Sequence, residues 1–435
     1  MTVRMAHLCS WLVALLPVVV ACFGMDFPSL DRPGAWLNIL GRLTGVAALS
    51  LLLMAAILSA RVPGFDRPFG GLTKLWQTHH QMGAVALLCV LAHPVLLALA
   101  AAEVSLSVAV TTLFPPFDHL ATWLGWLALI GMVVFLAPSF HFLGEPEYGR
   151  WKWLHRLSGP VIVLALIHTF MLSRTMPGYA TEMIWTIMAA LAVAAVSWRF
   201  VISRRAGRLR YRVDAVDRPA NNVVELKLLP AGRRQLHYEV GQFVYLVPYD
   251  RRLAAGYGEE HPYTLSSSPL EAGLRIAIKD LGDASRAIQH ISPDSEVTIE
   301  GPYGRFFTDN NPGGELWIAG GIGITPFLAR ARHLARTGET ADIHLVYCVQ
   351  DEARALFATE LAELAETLEG FKLSLHYFYR QGPLTGEFLS AECPDLAQRT
   401  AYVCGPLPLN QLAVRIVREA GIPVSRIHTE EFNLI

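Results

Sequence analysis

Apolar residues form long runs in the first half of the chain, at about 5–25, 35–60, 75–101, 119–138, 154–173 and 183–203. Each run is long enough to cross about 30 Å of hydrocarbon as a helix, so the pattern predicts a six-helix membrane bundle. After SRRAGRLR the rhythm shortens. YRVDAV, NVVELKLL, QFVYLVP, PYTLSS, LRIAIK and EVTIEGPYG alternate with period two between Gly, Pro, Asn and Asp, which predicts a small antiparallel β-barrel. From Glu315 the pattern changes once more. ELWIAG precedes a helix over 324–337, then come IHLVYCV, a helix near 354–368, KLSLHYF, AYVCG and a last helix over 407–419, the alternation of a doubly wound parallel α/β sheet. The predicted domains are 1–205, 206–312 and 313–435.

Composition agrees with a membrane protein joined to a soluble one: 53% of the 435 residues are hydrophobic and 17% charged. The net charge of −1 points to no nucleic-acid partner. Six cysteines, at 9, 22, 89, 348, 393 and 404, show neither CxxC spacing nor a secreted framework and read as free thiols, without an iron–sulfur cluster. The first run, with Arg4 ahead of it and Val19-Val20-Ala21-Cys22 near its end, resembles a signal sequence, but its length and the span that follows favour a retained helix. Arginines and lysines gather in the connections around 61–74, 150–156 and 199–210, against Arg32 and Arg174 on the other side. The positive-inside rule then puts both termini in the cytoplasm of a multi-pass inner-membrane protein. The outer connections, 26–34, 102–118 and 174–181, are too short for a separate domain.

Histidines inside two of the apolar runs carry the first chemistry. His79 or His80 with His93 lie on one helix, and His155 with His168 on another. A lone intramembrane histidine is commonly an interhelical hydrogen-bonding group. Four at matched depths are better explained as two pairs of axial haem ligands, at levels roughly 20 Å apart, too far to share one zinc ion. Rotation at about 100° per residue favours His79 over His80 as the partner in phase with His93. The same rotation counts against His155 with His168 on one straight helix, unless Pro160 kinks it. Arg42, in GRLTG near the outer end of the second run, reads either as a snorkelling anchor or as a clamp for haem propionates or an anionic acceptor.

Two more stretches point to nucleotides. Gly320, Gly321 and Gly323, followed by Thr325 and Pro326, occupy a strand–turn–helix junction where a pyrophosphate can approach backbone N–H groups. His261-Pro262-Tyr263-Thr264, with Ser266, Ser267 and Ser268 after it, offers an aromatic face beside hydroxyls, suited to a flat ring. Lys279, Gly282 and Ser285 open a helix that reads as another phosphate seat.

In that order, HPYTLSSSP, GPYGRF at 301–306, GGIGITP and Cys404-Gly405-Pro406 resemble a ferredoxin–NADP reductase type flavoprotein. Behind six helices with paired histidines, the chain resembles a bacterial member of the ferric reductase and NADPH oxidase superfamily. The resemblance implies two b-type haems, the inner on His79 and His155 and the outer on His93 and His168. It implies FAD, with Tyr263 and Thr264 at the isoalloxazine and His261, Pro262, Lys279, Gly282 and Ser285 along the rest. The glycine turn would take NADH or NADPH, Cys404 to Pro406 would lie near the reaction centre, and Phe432 would stack on the flavin. The HRxxG pattern of the family matches His155 to Gly159, and it aligns His79, four before Gly83.

Two departures alter what the resemblance implies. Gln350-Asp351-Glu352 stands where relatives often carry an arginine, so NADH is expected to serve at least as well as NADPH. Leu97 replaces a further histidine of the animal oxidases, which weakens a dedicated superoxide role. The expected activity is electron transfer from cytoplasmic NAD(P)H through FAD and the haems to an outer acceptor, a ferric chelate or molecular oxygen. The alternatives are a haem-bearing subunit feeding a periplasmic partner protein and a non-catalytic membrane flavin sensor.

Overall fold

The computed structural model describes residues 3–25, 27, 32–139, 148–172, 178–307 and 313–430. Arg174 and Phe432, named above, lie outside them. The chain forms two compact units, one of residues 1–62 and 74–201, the other of 63–73 and 202–434. The connection 63–73, counted above with the membrane half, belongs to the second unit. Its Asp66 is buried, and Asp66 Oδ2 accepts from Gly304 N at 3.1 Å.

The first unit holds α1 (Val3–Phe23), α2 (Pro33–Leu58), α3 (Leu72–Ala102), α4 (Leu106–Leu113), α5 (Leu120–Leu136), α6 (Tyr148–His155), α7 (Ser158–Leu172) and α8 (Gly178–Ser197). Among the described residues, six spans are long and apolar enough to cross a membrane, α6 and α7 together supplying one. Close packing of α2 on α3 rests on small residues: a Cβ at Gly41 would stand 2.9 Å from Leu97 Cδ2, and one at Gly45 2.8 Å from the His93 ring. The connection after α3, expected above to be a short outer loop, is not plain loop. It contains α4, capped by the Ser105 hydroxyl, and its following Phe114 and Phe117 stack on Trp126 and Trp123 of α5.

The span with His155 and His168 is broken rather than kinked. Helix α6 ends at His155, and α7 starts at Ser158, with Pro160 in its first turn, where a missing N–H costs nothing. The break frees His155 from the helical phase of His168. At its end α8 runs into a π-helix, Trp198–Gly207.

The second unit begins with β1 (Arg208–Ala220), β2 (Val223–Pro230), β3 (Phe243–Pro248), β4 (His261–Thr264), β5 (Leu274–Lys279), α9 (Asp283–Ala287) and β6 (Glu296–Tyr303). The strands are antiparallel in the order β4-β3-β6-β1-β2-β5, and a Leu265–Ile276 bridge closes the barrel. Val213, Val224, Leu226, Leu246, Ile276 and Val297 fill it.

Next come β7 (Glu315–Gly320), α10 (Thr325–Thr337), β8 (Ile343–Val349), α11 (Ala358–Thr367), β9 (Phe371–Tyr377), α12 (Phe378–Gln381), α13 (Gly386–Glu392), β10 (Thr400–Cys404), α14 (Leu407–Glu419) and β11 (Ile427–Glu430). All five strands are parallel, in the order β11-β10-β7-β8-β9, so the topological switch falls between β7 and β10. Strand β11 was not foreseen, because four residues reading IHTE carry too little alternation to register.

Arg332 of α10 ties this sheet to the barrel. Its Nη1 donates to Glu225 Oε1 and to Ser266 O, both at 2.9 Å, and its Nε donates to Glu360 Oε1 at 2.6 Å. A buried guanidinium needs this saturation, since an unpaired charge there would be strongly destabilising.

Candidate functional site

Four histidines of the membrane unit come together in two pairs. The ring centroids of His79 and His155 are 6.2 Å apart, and those of His93 and His168 are 6.4 Å apart. Three of the rings are fixed through Nδ1 to a backbone carbonyl: His79 to Ala55 O at 2.7 Å, His93 to Gly41 O at 2.6 Å and His168 to Ala121 O at 2.7 Å. With Nδ1 donating, Nε2 keeps its lone pair, the tautomer that binds metal. His155 Nδ1 has no hydrogen-bond partner among the described residues, and the ring is packed by Trp151 and Phe135. His80 is exposed, with its ring 5.4 Å from that of His79.

These distances fit a shared metal. Two imidazoles on opposite sides of one ion, each bonded at about 2.0–2.1 Å, bring their centroids to about 6 Å. A Cβ added at Gly83 or Gly159, each four residues past a histidine of the first pair, would meet nothing within 4 Å, so a flat group has room beside them. Among the described residues no group of three or more His, Cys, Asp or Glu converges on a metal position. Arg42 is half-buried and directly follows Gly41, whose carbonyl holds His93.

In the barrel, Tyr263 and Thr264 of β4 pair with Val244 and Phe243 of β3, and His261 opens the strand, its Nε2 3.4 Å from Glu259. Burial pushes the Tyr263 phenol up from its ordinary pKa. The serines behind it are not free to meet a ligand. Ser266 donates to Glu225 at 2.7 Å, Ser267 bonds Tyr238 at 2.8 Å, and Ser268 bonds His333 at 3.1 Å. Their hydroxyls brace the loop, which leaves as its candidates the half-buried Tyr263 and the buried Thr264. Lys279 ends β5, but α9 behind it has only five residues, and the Ser285 hydroxyl already accepts from Leu281 N and Gly282 N at 2.9 Å. That serine caps its own turn.

The glycine turn sits at the switch point. Gly320 ends β7, Gly321 to Ile324 form a 3₁₀ turn with Gly321 at φ +53°, and α10 starts at Thr325-Pro326. Side chains are excluded there: a Cβ at Gly323 would lie 2.2 Å from Cys404 O, and one at Gly405 3.1 Å from Gly320 Cα. Two backbone turns thus press together in the crevice where open α/β sheets take nucleotides.

Cys404 is fully buried, which raises its thiol well above the usual range. Opposite it in register on β11 stands Glu430, whose carboxyl burial pushes up to about 8. Glu430 was not foreseen as a site residue. The only hint was its place two residues before Phe432, because its burial depends on a strand that periodicity did not reveal.

Comparison with known families matches residues 44–166 to the ferric reductase like transmembrane component, 208–306 to an FAD-binding domain and 317–415 to an oxidoreductase NAD-binding domain. The chain is a fusion of the ferric reductase and NADPH oxidase type. The fusion has the domains of an NAD(P)H-dependent membrane oxidoreductase. It is 27% identical over 235 residues to an NADPH oxidoreductase of Mycobacterium tuberculosis, covering 52% of this chain and 60% of that one. It is 31% identical over 204 residues to the ferredoxin reductase component of 3-ketosteroid-9-alpha-monooxygenase of Mycolicibacterium smegmatis, covering 46% of this chain and 56% of that one. The match therefore spans a little over half the length of these relatives. Flavohemoglobin from Malassezia yamatoensis, solved with bound FAD and heme, shares 18% identity at a TM-score of 0.50 over 93% of this chain and 99% of its own, a likeness of fold alone.

Proposed function

We propose that the fusion is a bacterial inner-membrane oxidoreductase that passes electrons from cytoplasmic NAD(P)H, by way of FAD and two b-type haems, to an acceptor on the outer side, a ferric chelate or molecular oxygen. The observation that carries this reading is the repeated imidazole pair, with centroids 6.2 and 6.4 Å apart and three rings anchored on backbone carbonyls. His79 and His155 hold the inner haem, and His93 and His168 the outer. Flavin supplies the conversion of a two-electron donor into single-electron transfers, and haem supplies a single-electron carrier in hydrocarbon.

The chain's own residues do the rest. Carbonyls of Ala55, Gly41 and Ala121 fix three imidazoles in the ligating tautomer before any metal arrives, so little reorganisation is left to binding. Tyr263 and Thr264 present the flavin edge, and the Gly320–Ile324 turn offers N–H groups at the start of α10 to the nucleotide pyrophosphate. Cys404 and Glu430 close the far side of the crevice between β7 and β10. Arg42, next in the chain to the Gly41 carbonyl that holds His93, is a guanidinium suited to a propionate or an anionic acceptor. The clustered basic connections keep both termini and the nucleotide module in the cytoplasm.

The test is spectroscopic and kinetic. Full-length protein purified in detergent should show b-type haem bands on dithionite reduction, at two haems per chain. NADH or NADPH should reduce the same bands anaerobically, and adding ferric chelate or oxygen should reoxidise them. Protein that binds no haem, or haem that neither nucleotide reduces, overturns the proposal.

A further inference from the structure

Beyond the glycine turn, the rim of the parallel sheet carries four charges that the reading above leaves unused. Strands β8 and β9 are parallel neighbours and end together, Val349 opposite Tyr377. Past β8, Asp351 caps the turn Glu352–Arg354, accepts from Arg354 N at 3.2 Å and pairs with the Arg354 guanidinium. Past β9, Arg380 reaches back to pair with Glu352. Tyr379 N donates to Gln350 O at 3.1 Å and ties the two loops together. Each guanidinium also lies over a ring, Arg354 at 5.7 Å from Tyr379 and Arg380 at 5.2 Å from Tyr377.

In doubly wound sheets the end of the second strand is where the adenosine ribose is read. A carboxylate there accepts from a 2′-hydroxyl, whereas an arginine takes a 2′-phosphate. This rim holds both kinds of group, already matched. The carboxylates alone would repel a phosphate, but each has its own counter-cation. Pairs at the surface are weak and reopen at little cost, while a phosphate accepts from guanidinium more strongly than a solvated carboxylate does.

We infer that the pairs Asp351–Arg354 and Glu352–Arg380 form an exchangeable ribose subsite that admits either a 2′-hydroxyl or a 2′-phosphate, so that NADH and NADPH serve with similar efficiency. With NADH the arginines stay on their carboxylates, one of which accepts from the hydroxyl. With NADPH the arginines turn to the phosphate, and Tyr377 and Tyr379 hold them at the rim while they do so. The inference rests on the Gly320–Ile324 turn as the nucleotide seat.

Stopped-flow reduction of the flavin in the purified full-length protein tests it without involving the haems. NADH and NADPH should give apparent second-order rates within about tenfold of each other. Arg380→Gln and Arg354→Gln should each lower the NADPH/NADH ratio by about tenfold, and Glu352→Gln should raise it. Salt should depress the NADPH rate more steeply than the NADH rate. A preference of about a hundredfold for either nucleotide in the parental protein, or equal losses for both in Arg380→Gln, overturns the inference. If neither nucleotide reduces the flavin, the proposed activity fails, and equilibrium binding of NAD+ and NADP+ to the parental protein still decides the subsite. Similar affinities, with only NADP+ binding weakened by salt, support it, and a large difference refutes it.

Discussion

Gly125 of α5 stands directly against the His168 ring. A Cβ placed there would lie 2.7 Å from Cε1, 2.8 Å from Nδ1 and 3.3 Å from Nε2. Non-bonded carbon contacts are comfortable at about 3.5–4.0 Å, so Gly125→Ala must push the ring away by about 1 Å. Helix α5 cannot absorb the shift, because the same ring is tied to Ala121 O on that helix at 2.7 Å. Overpacking of this kind costs about 1–3 kcal/mol, and losing the Nδ1 hydrogen bond adds about 1 kcal/mol. At about 1.4 kcal/mol per decade, the combined cost of about 2–4 kcal/mol should lower outer haem affinity by about thirtyfold to several hundredfold. Alanine is also the better helix former, so the fold itself should not suffer. The assay is haem stoichiometry by pyridine haemochrome on purified protein, with flavin content as a folding control. Gly125→Ala should keep its flavin and drop from two haems towards one, and Gly45→Ala, which would crowd His93 at 2.8 Å, should do the same. Leu127→Ala, on the exposed side of α5, should keep both. Two full-strength haems in Gly125→Ala would refute the assignment of His168 as a ligand in this geometry.

Replacing His79 with leucine should remove one haem, whereas His80→Leu should leave both; reduced-minus-oxidised spectra with the opposite outcome would assign the inner ligand to His80. Arg42→Ala should keep both haems and their reduction by NAD(P)H but slow reduction of the external acceptor by about tenfold or more. Acceptor turnover at the parental rate would make Arg42 an interfacial anchor. Glu430 has its pKa raised from 4.5 to about 8 by burial, so the folded state holds a proton that the unfolded chain has released. Its contribution is therefore most favourable below about pH 4.5 and is lost as pH rises towards 8, on the order of a few kcal/mol. Thermal unfolding across that range should show a shallower pH dependence in Glu430→Gln than in the parental protein, and parallel curves would mean that the carboxyl ionises normally.

Sequence by itself determined the kinds of element and the depths of the chemistry. Apolar runs of membrane length, period-two alternation and a glycine turn between strand and helix are local patterns, and each was realised: six spans, six barrel strands and the Gly320–Ile324 turn at the switch point. The matched histidine levels were legible because a helix converts residue number into height. What tertiary structure alone decided are relations between segments distant in the chain. The Ala55 carbonyl that holds His79, the close approach of Gly45 and Gly125 to the His93 and His168 rings, and the release of His155 from helical phase by the break after α6 have no signature in periodicity. The same holds for the connection 63–73 docking through Asp66 on Gly304, and for the serines behind Tyr263 spending their hydroxyls on the protein interior. Asp351 and Glu352 make the physical reason plain. A charge read along the sequence has a sign, but whether that sign is felt depends on which arginine the fold brings beside it.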